Sequence, residues 1–353
     1  MPELGRRGVI ARYGHRMAID GIEAPVTLCE GGTPLIPAPR LARELGLGCE
    51  LLLKYEGLNP TGSFKDRGMT AAITQAAADG ARVVMCASTG NTAASAAAYA
   101  ARAGMRCVVV VPDGKVALGK LAGAVAYGAR VVAVKGSFDD GLRLVREATE
   151  TSGIAMVNSL NPARIEGQKT AAFEICEALG GPPDWLCLPV GNAGNITAYW
   201  KGFREEVSAG ELPRMLGGQA AGAAPLVLGR PVEHPDTVAT AIRIGNPARW
   251  TEAKAAINES SGLVAAVEDA DILRVYRMLA QLEGVFCEPS SAAGLAALAG
   301  ELARGAISVT GQTVVCVLTG HGLKDPDAAM ASALPCVAVE PRLEPLLEAA
   351  SDG

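Results

Sequence analysis

The chain has 353 residues, room for one large or two medium domains, and its 32 basic and 37 acidic side chains leave a net charge of −5. No Lys/Arg block stands out, so the clustered basic surface that a nucleic-acid or acidic-membrane partner requires is not expected. Apolar residues make up 49% of the chain, yet the most apolar stretches are broken by Ser, Thr, Asn and Gly, which argues against a span of roughly 20 lipid-facing residues.

No basic amino terminus leads into an apolar run, so a secretory leader is not expected. The nine cysteines form no Cys-x-x-Cys pair and read as reduced thiols, consistent with a cytoplasmic location. Three histidines (His15, His234, His321) are poor material for a multi-His metal site or a Ser-His-Asp triad, and no metal site is expected.

In chain order, the first unusual stretch is "TGSFKDRGMT" at 61–70. Ser63 followed by Asp66 is a capping-box pattern, which predicts Ser63 as the N-cap and Lys65 as the second helical residue. The amide dipoles make that end of a helix positive, so an ordinary ammonium is mildly disfavoured there. A lysine so placed and partly desolvated favours the free amine, which can form an imine with an aldehyde and move protons.

Short apolar runs at 82–86, 106–111, 130–134, 155–159, 185–190 and 313–318 predict buried strands, and Ala-rich or amphipathic stretches at 92–103, 138–151, 164–179 and 291–304 predict helices. That alternation predicts an α/β fold of parallel βαβ units. The clearest compositional breaks are "NSLNPAR" at 158–164 and the Gly/Ala/Pro-rich 217–231.

Ligands of open α/β sheets bind beyond the carboxyl ends of the strands. After the run 82–86, Ser88, Thr89, Gly90 and Asn91 lead into a helix, forming either a plain polar cap or a pocket for a carboxylate or phosphate. After 185–190, Gly191, Asn192, Ala193, Gly194 and Asn195 form either a structural turn or an anion nest; the loop is neither a P-loop nor Gly-x-Gly-x-x-Gly. After 313–318, "TGHG" places the Thr319 hydroxyl at a strand end, and a lone His such as His321 is more often structural. An amine, two anion cradles and a hydroxyl for a ring nitrogen together describe a pyridoxal phosphate site.

"GLNPTGSFKDRGM" resembles the cofactor-lysine segment of fold-type II pyridoxal phosphate enzymes. "CASTGNTAASAAAYAARAG", "VGNAGNITAYWKGF", "ATAIRIGNPARW", "EPSSAAGLA" and "LTGHGLKDPD" are similar to the threonine synthase branch of that family, over residues 30–327. The resemblance implies two open, twisted, mostly parallel sheets flanked by helices, as in the tryptophan synthase β-like fold. It also implies a large domain of residues 1–55 and 161–353 that binds the cofactor phosphate, and a smaller, mobile domain of residues 56–160.

Carried over by position, it implies that Lys65 links to the cofactor beside Phe64 and that Asn91 contacts the phenolic oxygen. It further implies that Gly191, Asn192, Ala193, Gly194 and Asn195 hold the cofactor phosphate and that Thr319 faces the ring nitrogen. Ser88, Thr89, Thr92, Asn158, Ser159 and Arg164 are expected to bind substrate. "NSLNPARIEGQKT" suits a second phosphate, that of O-phospho-L-homoserine. Read alone, it is equally a solvated helix start, since Arg164 and Lys169 need not share a face.

The implied reaction is elimination of phosphate from Cγ and addition of water at Cβ, giving L-threonine. Gly32 stands where many relatives carry Asn, and the allosteric activation that plant relatives owe to a long amino-terminal extension is not expected. A homodimer is expected by the same likeness. The alternatives are a threonine/serine dehydratase of the same fold, which needs no second phosphate site, and a non-catalytic ligand-binding relative.

Overall fold

The structure, a computed structural model, describes residues 8–114, 118–136, 138–208, 210–331 and 336–351. Its strands are β1 (Leu35–Pro37), β2 (Glu50–Tyr55), β3 (Val83–Ala87), β4 (Arg106–Pro112), β5 (Arg130–Val134), β6 (Ala155–Met156), β7 (Trp185–Pro189), β8 (Arg214–Ala220), β9 (Leu263–Val267) and β10 (Thr313–Leu318). Among the described residues they form a six-stranded sheet of order β1-β2-β10-β7-β8-β9 and a four-stranded sheet of order β5-β4-β3-β6. Every pairing is parallel except that of β1 with β2. The α/β class expected from the alternation of runs is the one observed.

Continuous apolar runs become the central strands because both faces of a parallel sheet are covered by helices. All five residues of β7 are buried, as are Val314 to Leu318 of β10, with Cys316 set between Leu53 and Cys187. The helix Ala293–Ala303 lies so close to this sheet that a Cβ on Gly218 would stand 2.2 Å from the Ala293 carbonyl oxygen. This corrects the reading of 217–231 as a break: its first residues are the end of β8, and glycine is there for close approach rather than for a turn.

Two further expectations are corrected. The run 155–159 yields only the two-residue strand β6, because Asn158 turns its side chain onto Ala87 instead of continuing the ladder. The predicted helix 164–179 is two helices, Pro162–Gln168 and Thr170–Leu179, that meet at Lys169. All nine cysteines are free, and among the described residues no helix is long and apolar enough to cross a membrane.

Parallel strands send their carboxyl ends the same way. The segments that follow β2, β3, β6, β7 and β10 contain residues 56–64, 88–91, 157–161, 190–193 and 319–321. These are the segments that carry the candidate site.

Candidate active site

Lys65 opens the helix Lys65–Ala78. The approach to it is fixed by the segment after β10. The Phe64 amide donates to the Thr319 carbonyl oxygen (3.0 Å), the His321 amide donates to that of Gly62 (2.9 Å), and Ser63 pairs with Gly320.

The capping box is corrected. Phe64 occupies the cap position and no side chain caps this helix. Asp66 accepts from the Thr61 amide and hydroxyl and from the Ser95 hydroxyl, each at 2.6 Å, while Ser63 Oγ is buried without a partner.

The Lys65 ammonium lies 4.2 Å from the centre of the Phe64 ring. Burial pushes it down to about 7, the positive charge of Arg164 adds to the shift, and Glu288 opposes it. The odd placement of this lysine thus yields an amine close to half unprotonated at neutral pH.

Two helices cross beside Lys65 through glycines. A Cβ on Gly68 would lie 2.9 Å from the Arg164 carbonyl oxygen, so the lysine helix and the helix Pro162–Gln168 touch backbone to backbone. Arg164 is 1% exposed, its Nε has no partner, and its nearest acceptor is the Val157 carbonyl oxygen at 3.5 Å. Burial pulls the guanidinium down to about 10. A buried cation without an anion partner among the described residues is an unfinished site.

The other residues expected beside Arg164 behave differently. Asn158 accepts from the Ala87 amide (3.0 Å) and donates to the Ala87 carbonyl (2.9 Å), so its amide fixes the end of β3 and leaves one N–H free of that bond. Ser159 is half-buried, and its carbonyl accepts from Arg249. Lys169 is bound by Glu166 and Glu205 at 2.6 and 2.7 Å, which removes it from the anion site.

After β3, Ser88 and Thr89 are half-buried and the Ser88 hydroxyl accepts from the Gly90 amide (3.2 Å). The helix Asn91–Arg102 follows with Gly90 as its cap and no side-chain cap, so no side chain takes up the amides of its first turn. Asn91 donates to Glu288 (2.9 Å).

After β7, the loop of Gly191, Asn192, Ala193, Gly194 and Asn195 enters the helix Gly194–Glu206, which also lacks a side-chain cap. Ala193 sits at φ +63°, a left-handed step that turns successive amides inward. A Cβ on Gly191 would be 3.1 Å from Ile242 Cα, so that position admits only glycine without a shift. Asn195 Nδ2 is buried and unpartnered.

Thr319 is 4% exposed; its hydroxyl lies 3.0 Å from Ser291 Oγ and 3.2 Å from Glu288. His321 accepts from the Leu323 amide and stacks against Tyr55, a structural role.

Sequence reasoning missed Glu288, Ser291 and Arg249. Glu288 is a buried carboxyl joined to Asn91 and Thr319, and burial raises its pKa. Its signal was a lone acid ahead of the small-residue run "PSSAAGLAALAG".

The free amine, the amide-lined glycine loop and the orphaned donors of Arg164 and Asn195 fit a cofactor bearing an aldehyde and a phosphate, with a second anion site beside it. Residues 26–320 match the family described as pyridoxal-phosphate dependent enzyme. The chain is 58% identical over 327 residues to a threonine synthase of Synechocystis sp., covering 92% of this chain and 85% of that one. It is 59% identical over 327 residues to a threonine synthase of Mycobacterium tuberculosis, covering 92% and 90%. The processed form of threonine deaminase isoform 2 from Solanum lycopersicum superposes with a TM-score of 0.74 at 21% identity, covering 93% of this chain and 90% of that one, and so shares the fold.

Proposed function

Because the chain belongs to the pyridoxal-phosphate-dependent enzymes and, within them, to the threonine synthase family, we propose that it converts O-phospho-L-homoserine and water into L-threonine and phosphate. The observation that carries the reading is Arg164, a buried guanidinium with no anion partner among the described residues, close enough to Lys65 to lower its basicity. A substrate bearing only an amine and a carboxylate gives that second cation nothing to bind. A phosphate does, and charge-assisted bonds to buried donors are the strong ones.

Lys65 would hold the cofactor, with Phe64 packed against the amine and Asn91 serving the phenolic oxygen. Gly191, Asn192, Ala193, Gly194 and Asn195 would hold the cofactor phosphate, and Thr319 would serve the ring nitrogen. When bound, the cofactor supplies an electron sink for negative charge at the substrate carbon.

The protein's own groups do the rest. Lys65 Nζ, largely unprotonated above about pH 7, takes a proton from the substrate carbon and can return one. The uncapped helix start at Gly90 to Thr92, with Ser88 and Thr89, receives the substrate carboxylate. Ser159 and Arg164 hold the leaving phosphate, and Asn158 keeps Ala87 and the Ser88–Thr89 turn in place. Following the same likeness, we take the chain to act as a homodimer in the cytoplasm; light scattering at the mass of one chain would remove the dimer.

The test is to supply O-phospho-L-homoserine to the cofactor-loaded protein and quantify inorganic phosphate and threonine together. Equal amounts are expected, and Arg164→Ala should weaken the phosphorylated substrate sharply while leaving any turnover of serine or threonine nearly unchanged. Neither product from loaded protein would overturn the reading in favour of a dehydratase.

A further inference from the structure

Arg249 stands at the start of the helix Trp250–Glu259, on a segment that touches both anion cradles. Its Nε donates to the Ser159 carbonyl oxygen and its Nη2 to that of Leu160, both at 3.2 Å, and Nη1 reaches Glu252 at 3.0 Å. The side chain is 14% exposed, whereas that of Glu252 is 46% exposed, so the charge is only partly neutralised. One residue earlier, the Ala248 amide donates to Asn192 Oδ1 (3.4 Å), and Arg249 Cδ lies 4.0 Å from where a Cβ on Gly194 would stand. The positive charge of Arg249 also lowers the basicity of Arg164.

These contacts share one geometry. The strap between β6 and the helix Pro162–Gln168 carries Ser159 and Arg164, and it has no ladder partner along Ser159–Leu160. A planar guanidinium grips two carbonyls one residue apart from two different nitrogens, a fixed fork that the single nitrogen of an ammonium does not reproduce. Each of the three nitrogens of Arg249 makes one bond, two of them to the strap, so the observed contacts of the side chain are with the strap and Glu252.

We propose that Arg249 is a positioning residue that clamps the Ser159–Leu160 backbone against the Gly191–Asn195 loop and so fixes the spacing between the substrate-phosphate site and the cofactor-phosphate site. The inference rests on the substrate-phosphate reading given above. It assigns to a residue outside both cradles the task of holding them in register, and it predicts an effect on phosphorylated substrate that loss of general stability would not produce.

The experiment compares holoenzyme carrying Arg249→Ala, Arg249→Lys and Arg164→Ala. The readouts are kcat and KM for O-phospho-L-homoserine, inhibition by inorganic phosphate, cofactor affinity and melting temperature. Arg249→Ala should raise KM and the phosphate inhibition constant about tenfold, with kcat within about twofold and cofactor affinity and melting temperature unchanged, the pattern of lost ground-state binding. Arg249→Lys should recover only part of the loss.

An unchanged KM in Arg249→Ala, with Arg164→Ala impaired, overturns the clamp alone. A parallel fall in kcat, cofactor affinity and melting temperature overturns it in favour of a structural role, and full recovery by lysine overturns it in favour of charge alone. If Arg164→Ala leaves KM unchanged, the substrate-phosphate reading fails and the clamp with it.

Discussion

The carbonyl oxygen of Arg67 occupies the place a Cβ on Gly167 would take, 1.8 Å from it. That contact lies one helical turn beyond Arg164 on one side and near the start of the lysine helix on the other. The closeness of Lys65 to Arg164 therefore follows from a glycine crossing, not from an attraction between two like charges. Adding a methyl group must push the helices apart. Gly167→Ala should destabilise the protein by about 1–3 kcal/mol, the scale of overpacking a tight core contact, and lower kcat/KM as well. Denaturant unfolding and steady-state kinetics check both, and a variant as stable and as active as the parent would refute the crossing as the organising contact.

Lys65 makes a pH prediction. Only the free amine can attack the cofactor aldehyde, and with the ammonium down at about 7 that form increases as pH rises through neutrality. Capture of pyridoxal phosphate by the apoprotein should therefore slow as pH falls, with a midpoint near 7. Arg164 contributes to the depression, so Arg164→Met should move the midpoint upward. Stopped-flow capture rates between about pH 5.5 and 9 read this directly, and a midpoint that stays put in the variant would sink the electrostatic coupling.

Glu288 carries an opposite dependence. Burial raises its pKa, so the folded protein holds that proton more tightly than the unfolded chain does. This contribution to stability is present at low pH and is lost as pH rises from the ordinary carboxylate range through the folded value. Glu288→Gln removes the slope. The variant should be about 1 kcal/mol more stable than the parent at pH 8, the order of a relieved buried polar penalty, and show no such gain at acid pH. It should also bind cofactor differently, because Asn91 and Thr319 both donate to this carboxyl. Melting curves at several pH values and cofactor titration test the two parts separately.

The fold was legible where the chemistry is local. Runs such as 106–111 and 313–318 read as buried strands because a parallel strand covered on both faces has no polar positions to confuse it. The strand–loop junctions with Ser88, Gly191 and Thr319 stood out because small and polar residues interrupt apolar runs. What depended on distant partners was not legible. Asp66 looked like a capping partner for Ser63, but it is taken by Thr61 and by Ser95 from the next helix. Gly218 looked like part of a break because the helix that requires its smallness lies about 75 residues later in sequence. Arg249 and Glu288 act on residues 90 and 197 positions away, and no spacing rule reaches that far.

Arg67 supplies the last prediction. It binds Glu56 through Nε (2.7 Å) and Nη2 (2.9 Å) and Glu174 through Nη1 (2.9 Å) and Nη2 (2.6 Å), and Lys54 completes the cluster at 2.7 Å from Glu174. All four side chains are buried, so two cations face two anions with little water to help. Burial raises the carboxyl pKa values, but the charge and hydrogen bonds of Arg67 together with the charge of Lys54 outweigh it and hold both below the ordinary carboxylate range. Their stabilisation is therefore present above that range and lost as pH falls through the depressed folded values. Arg67→Met leaves the two carboxylates only the Lys54 ammonium and the partly exposed Arg12, 3.7 Å from Glu174, and should destabilise the protein by about 3–5 kcal/mol at pH 7, the scale for breaking a buried pair from one side. As pH falls and the carboxylates of the variant take up protons, the gap to the parent should narrow. A constant gap across pH would mean that Arg67 acts by packing and not by charge. Since Arg67 is two residues beyond Lys65, a loss of cofactor capture in this variant while it remains folded would tie the ion cluster to the lysine's position as well as to stability.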